Sequence, residues 1–248
     1  MNRVGVVAAL AREARALAPP GPPDDARDPR VVPLEDNALL TESGMGWDAA
    51  EAAARRLAEA GATALVSFGT AGALDPALAH LAVVVPEAVV TWEGTVFGTH
   101  RPWRESLLAA CPRDVPVAAG RLLSCREAVG SRLDKAIAWR ESGCAAVDME
   151  SAAIARYAAD AAIPFLAVRV IVDSAADELP QAVLAASRAG EVSVPALLAA
   201  LACAPWTIAA VARLARRFRH ACAVLDRIGE PGMPARRALT DAGWGQGR

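Results

Sequence analysis

The chain has 248 residues, is 54% hydrophobic and carries a formal charge of −2, enough to bury a substantial core within one α/β domain. That balance excludes nucleic acid as the main partner, because neutralising a phosphate backbone leaves a clear basic excess. The five cysteines, Cys111, Cys125, Cys144, Cys203 and Cys222, show no CxxC or ligand-like spacing, so no metal site is expected and they read as reduced thiols of a cytosolic protein.

Residues 3–9 (RVGVVAA) are an apolar run of strand length, and Leu10-Ala11-Arg12-Glu13 opens a helix behind it. Charge returns too soon after this run for a signal peptide. Proline and aspartate crowd 18–33, the composition of a surface loop. A hairpin is expected within 31–41, its second strand at 38–41. A Gly-rich turn, Ser43-Gly44-Met45-Gly46, and a helix over 47–60 follow. Residues 64–68 form a buried strand that ends in a second Gly-rich turn, Gly69-Thr70-Ala71-Gly72. Another apolar strand region covers 81–90, and an irregular stretch with Phe97, His100 and two tryptophans covers 92–103. Helices are expected at 104–110 and 131–142, on either side of a strand at 117–124.

Ala146-Val147 ends a strand and Asp148-Met149-Glu150-Ser151 opens a strong helix former. Ile163-Pro164 stops that helix, and 165–172 is an apolar run of strand length. Three helical segments follow, at 179–187, 194–203 and 206–228. The run 192–212 has no charged residue and could span a bilayer on length alone. Pro205 interrupts it and alanine dominates it, so two packed helices are the expected form. The Gly-, Pro- and Arg-rich stretch 229–248 reads as a fraying tail behind a single domain over 1–228. Short, nearly continuously apolar strands alternating with helices predict a mostly parallel sheet covered on both faces.

In such a sheet ligands bind beyond the carboxyl ends of the strands. Glu13, Glu150 and Asp173 all lie at such ends. Each has a structural alternative: Glu13 and Glu150 as acids at the positive end of a helix, Asp173 as the cap of a turn or helix. Arg169 sits inside an apolar strand, where an unpaired guanidinium is costly, so it must have a partner. The two Gly-rich turns are neither a GxGxxG fingerprint nor a P-loop and give no support to a dinucleotide or triphosphate. They suit close backbone approach to a planar or anionic ligand, or are simply tight turns. Trp92, Phe97 and Trp103 line an apolar pocket or form a satellite of the core. His80, His100 and His220 are too scattered for a Ser/His/Asp arrangement.

These pieces resemble the purine nucleoside phosphorylase and methylthioadenosine/adenosylhomocysteine nucleosidase superfamily. The matching segments are VGVVAALAREA (4–14), SGMG (43–46), SFGTAGALDP (67–76), AVDMESAAIA (146–155) and PFLAVRVIVDSAAD (164–177), in family order and at family spacing. The C-terminal part, including LPQAVLAASRAGEVSVPALLAAL, looks most like the hopanoid-associated phosphorylase branch, which releases adenine from adenosylhopane to give ribosylhopane. The resemblance implies a three-layer nucleoside phosphorylase-like fold, a mixed and mostly parallel central sheet flanked by helices. It also implies cleavage of the N-glycosidic bond of an adenine nucleoside, here one with a large apolar 5′ substituent, without a cofactor. Glu150 would hold the ribose hydroxyls, with Met149 on the sugar face and Arg169 orienting both. Asp173 would protonate purine N7, Ala71, Gly72 and Val129 would line the base pocket, and Glu13 would hold the attacking water.

The sequence departs from the pattern at two points. Val172 replaces the serine that usually precedes the catalytic aspartate, and Ala128 stands where an aromatic often stacks on the base. No compact basic cluster marks a phosphate site, although Arg12 and Arg15 lie near Glu13, so hydrolysis is favoured over phosphorolysis. The alternatives are a methylthioadenosine/adenosylhomocysteine nucleosidase or a phosphate-dependent purine nucleoside phosphorylase. A third, of another class, is a membrane-peripheral nucleoside-binding protein without turnover. For that last reading the basic residues of 206–228 would lie on a membrane surface. The expected setting is otherwise cytoplasmic and the expected assembly a homodimer, with Phe97 or His100 reaching the neighbour.

Overall fold

The computed structural model describes residues 3–18, 30–181, 183–184 and 208–241. The sheet grows outward from β4 (Ala64–Ala73), a ten-residue strand that is buried along almost its whole length. On one edge β4 pairs in parallel with β1 (Val4–Ala8) and, further along, antiparallel with β10 (Ala146–Asp148). On the other edge it pairs in parallel with β11 (Phe165–Asp173), from Phe165 opposite Leu65 to Asp173 opposite Gly72. Beyond β1 lie β3 (Ala38–Glu42), parallel, and β2 (Val31–Pro33), antiparallel, which is the expected hairpin. Beyond β10 lie β9 (Leu122–Ser124), β6 (Ala88–Thr91) and β7 (Val96–Gly98). β5 (Val83–Val84) joins β11, and β8 (Val117–Ala118) joins β5.

Successive side chains of these strands enter opposite layers, as a period of two requires. Val4, Val6, Val66, Phe68, Leu166, Val168 and Val170 share one core with Trp103 and Leu107 of α3 (Arg101–Ala110). The long α6 (Ile208–Gly229) and the short α7 (Pro234–Thr240) close that core. Val7, Leu65, Ala167 and Ile171 share the other with α2 (Trp47–Glu59) and α5 (Ser151–Asp160), both faced with alanine. The result is three layers: helices, a mixed and mostly parallel sheet, and helices, as expected from the sequence. A smaller cluster under α4 (Arg132–Ser142) joins Leu74, Leu123, Cys144 and Val147.

Several expectations need correction. Residues 69–72 are not a turn: β4 runs straight through them because β11 pairs with it throughout. The region 81–90 is two strands broken at Pro86, which lacks a donor for the ladder. Likewise 117–124 is two strands broken at Gly120, which takes a left-handed φ of 129°. The stretch 92–103 is regular in part, since β7 folds back on β6 and α3 begins at Arg101. Its aromatics do not cluster: Trp103 is 1% exposed in one core, Phe97 packs on the other and Trp92 is 53% exposed.

Instead of fraying, residues 234–240 form α7, whose Arg236 is 2% exposed. Arg236 donates to Asp36 and to the Leu17 and Gly229 carbonyls, and Trp103 Nε1 donates to Ala238 O. Residues 182 and 185–187 of the first expected helical segment, the whole segment 194–203 and residues 192–207 of the uncharged run lie outside the described residues. Among the described residues, no helix is long and apolar enough to cross a membrane.

Candidate active site

Three elements meet the stretch of β4 from Gly69 to Gly72. The first is α1 (Ala11–Ala14), a single turn after β1, which carries Glu13. Glu13 is 2% exposed and its Oε1 accepts from both the backbone N–H (2.8 Å) and the hydroxyl (2.7 Å) of Thr70. Its Oε2 accepts from Leu10 N–H at 3.2 Å, so the helix-start reading holds in part. Each carboxylate oxygen has two lone-pair sites, so among the described residues Oε1 is filled and Oε2 keeps one acceptor position. Burial raises the Glu13 pKa, against the opposing pull of Arg169 and the Thr70 and Leu10 hydrogen bonds.

Glu150 follows β10 and precedes α5, yet its side chain does not cap that helix. The capping falls to Asp148, whose carboxylate accepts from Ser151 N–H at 3.2 Å. Glu150 instead accepts from Gly46 N–H (2.9 Å), on the loop behind β3, and from Met149 N–H (3.3 Å). Gly46 holds a left-handed φ of 94°, which a residue with a Cβ would resist. The Glu150 pKa is pushed up to about 7, first by burial and then by Asp148, with Arg169 and the Gly46 amide opposing.

Arg169 finds its partner in Asp148, which the sequence did not single out. Its Nε donates to Asp148 Oδ2 at 2.8 Å, and its Nη2 donates to Ser67 Oγ (2.7 Å) and Ser151 Oγ (3.0 Å). It makes no hydrogen bond to Glu150; the two interact only through their charges. Arg169 is thus hydrogen-bonded to Asp148 rather than to Glu150. Among the described residues, Arg169 Nη1 carries no hydrogen bond. It lies where a Cβ on Gly69 would be 2.8 Å from it and equally close to Glu13 Oε2.

At the end of β11 the pairing with β4 slips by one residue, so that Asp173 sits opposite Gly72. Such a bulge re-aims the side chain that follows it. A Cβ on Gly72 would come within 3.1–3.3 Å of the Asp173 carboxyl oxygens, so glycine here makes room for that carboxyl. Asp173 does not cap the next turn, which is closed by Asp177 accepting from Ser174 N–H and Oγ–H. Burial raises the Asp173 pKa, and Lys135, which donates to its Oδ2, pulls it down. Lys135 is the second residue the sequence did not single out.

Of the other residues expected near a ligand, Ala71 is buried in β4, Met149 is half-buried beside Glu150, and Val129 packs on the small cluster under α4. Arg12 is committed to Asp226 of α6 through two hydrogen bonds of 2.9 and 2.6 Å, and Arg15 is exposed, so neither serves an anion at Glu13. Among the described residues, no group of three or more His, Cys, Asp or Glu side chains is placed to hold a metal ion.

The Phosphorylase superfamily model matches residues 3–202, and the chain belongs to that family. No curated protein matches it in sequence. Among solved structures, it resembles the 5′-methylthioadenosine/S-adenosylhomocysteine nucleosidase of Neisseria meningitidis in complex with methylthio-immucillin-A. That likeness has a TM-score of 0.70 at 18% identity, over 96% of this chain and 98% of that one. The futalosine hydrolase of Helicobacter pylori aligns with a TM-score of 0.61 at 17% identity, over 81% and 98%. The S-adenosylhomocysteine nucleosidase of Streptococcus pyogenes, in complex with 5-methylthiotubericidin, gives 0.59 at 21%, over 71% and 85%. At these identities the likeness speaks for the fold.

Proposed function

We propose that the chain hydrolyses the N-glycosidic bond of an adenine nucleoside. The observation that carries this reading is the convergence of Glu13, Glu150 and Asp173. Glu13 is bonded to Thr70 and Asp173 lies against Gly72 of one strand, Glu150 follows the strand whose Val147 pairs with Gly72, and each is buried with its pKa raised by burial. Three carboxyl groups held this way match the needs of a reaction that passes through an oxocarbenium-like sugar. One must protonate the leaving group, one must place the nucleophile and one must hold the sugar.

In this reading Glu150 accepts the ribose 2′- and 3′-hydroxyls, with Met149 against the sugar face and Arg169 Nη1 within reach of the same hydroxyls. Asp173, whose proton burial favours and Lys135 opposes, gives that proton to purine N7 as the C1′–N9 bond breaks, so the base leaves neutral. A water on the free acceptor position of Glu13 attacks C1′ and passes its proton to Glu13. Exchange with solvent restores both carboxyls. Ala71, Gly72 and Val129 form the base pocket.

Water is favoured over phosphate because the donors that would serve an anion here, Thr70 N–H and Oγ–H, are already taken by Glu13. The nucleosidase and hydrolase neighbours point the same way. For the 5′ substituent the reading is a large apolar group, with adenosylhopane as substrate and ribosylhopane and adenine as products. It rests on the likeness of the C-terminal part to the hopanoid-associated branch.

Incubation with adenosylhopane, methylthioadenosine and inosine, each with and without phosphate, tests both levels. Adenine from adenosylhopane in either buffer is expected, and no base from any of the three would overturn the reading. Asp173→Asn should lower kcat by about 10²–10⁴-fold, the range of a general acid, while nucleoside binding persists.

A further inference from the structure

Lys135 is the only lysine of the chain, and it is fully buried. Helix α4 carries it on the inward face with Ala138, while Leu133 and Trp139 of the same helix point outward, 70% and 42% exposed. An ammonium has three donors, and all three are used: on Asp173 Oδ2, on Ser174 O (2.9 Å) and on Asp177 O (3.1 Å). A helix that turns its lysine in and its tryptophan out is solving a local problem of charge, because a buried ammonium is tolerated only when paired and saturated. The problem is Asp173. With Oδ2 bound to Lys135, its Oδ1 carries no hydrogen bond among the described residues and lies beside Gly72. Val172, the residue before Asp173, has no side-chain donor to offer in place of the lysine.

We propose that Lys135 is the positioning residue of the acid. Its ammonium fixes Asp173 Oδ2, leaves Oδ1 to face the substrate, and stabilises the carboxylate that remains after proton transfer. This rests on the reading of Asp173 as general acid. In the step itself the Oδ1–H bond breaks as N7–H forms, and the C1′–N9 electron pair moves into the purine. Asp173 ends as an anion beside a cation, with no further proton required. The other charges at this strand end are already engaged. Asp177 pairs with Arg217 at 2.8 Å and His80 at 3.3 Å, and His80 Nδ1 lies 3.2 Å from Val172 O. Among the described residues, Lys135 alone hydrogen-bonds the Asp173 carboxyl.

The test is the pH dependence of kcat for Lys135→Met. Removing the cation leaves Asp173 protonated to higher pH but makes it a weaker acid. The alkaline limb should move up by about 1–3 units, the shift an adjacent opposite charge imposes on a carboxyl. The plateau should fall by about 10²-fold, with KM changed less than about threefold. A lysine with a purely structural role would lower kcat and leave the limb in place, and that result would overturn the proposal. Asp173→Asn combined with Lys135→Met should be no slower than Asp173→Asn alone, whereas additive losses would count against it.

Should Lys135→Met fail to fold, lysine labelled with ¹⁵N at the side-chain nitrogen gives a single ammonium resonance in the unmutated protein. That resonance should be protected from exchange and should shift in Asp173→Asn; an unshifted resonance overturns the contact. An active Asp173→Asn would instead remove the parent reading. An inactive Asp173→Asn with an unmoved limb in Lys135→Met would remove only the role of Lys135.

Discussion

In the proposed reading Glu150 must be ionised to accept hydrogen bonds from a diol, yet its burial pushes it up to about 7. Binding should therefore weaken as the solution turns acidic. We expect kcat/KM to fall about tenfold per pH unit below that value, the limb expected of a single required carboxylate. Glu150→Gln should lower kcat/KM and flatten the limb, and a pH–rate profile of both proteins decides the matter. Folding responds with the opposite sign. The unfolded chain titrates Glu150 near its ordinary 4.5, so the folded state binds the extra proton between 4.5 and about 7. Stability is lost as pH rises through that window. Glu150→Gln should accordingly raise Tm relative to the parent above neutrality, and the gain should vanish in acid. The same residues show what a sequence can reveal at this scale. That Arg169 needed a partner was legible, because a guanidinium in an apolar strand cannot stand alone. That the partner is Asp148 was not, since Glu150, two residues on, looked equally suitable from the chain alone. Lys135 was visible only as a lone lysine, and its pairing with Asp173 needs α4 to be laid across the end of β11.

Element by element, the alternation of strand and helix was readable, and the layers follow it. What misled was composition used in place of conformation. Gly69-Thr70-Ala71-Gly72 looks like a turn by content, but both glycines stand in a strand, where they make room for side chains arriving from other elements. Gly69→Ala would place a Cβ 2.8 Å from both Arg169 Nη1 and Glu13 Oε2. A loss of about 1–3 kcal/mol is expected from overpacking, together with a lower kcat, readable from urea midpoints and initial rates. Gly98→Ala, which meets nothing within 4 Å, is the control and should leave both unchanged. Helix α4 falls where it is expected, but its sequence does not say which face turns inward. Its buried face carries Lys135 and Ala138, while Leu133 and Trp139 are exposed.

Across the whole molecule, the most distant contacts in sequence close the layer on the α6 side. Arg236, near the end of the described chain, reaches Asp36, Leu17 O and Gly229 O, and so ties α7 to the turn after α1, to α6 and to the hairpin of β2 and β3. Composition alone gave these residues the look of a loose end, because it cannot say which arginine will find buried carbonyls. Arg236→Met should cost about 1–3 kcal/mol by leaving those acceptors unpaired, which a denaturant midpoint would register. Activity at low denaturant should survive, since no proposed site residue touches α7. The straight run of β4 has a different consequence. Glu13 hangs on Thr70, Arg169 and Asp173 come from the strand paired with β4, and Glu150 follows the strand on its other edge. Hydrogen exchange at β4 amides then requires the opening of most of the sheet, because paired central strands sit at the most protected end of a protein's local stability. The acids have no cheap excursion of their own: to disarrange them is to unfold the protein.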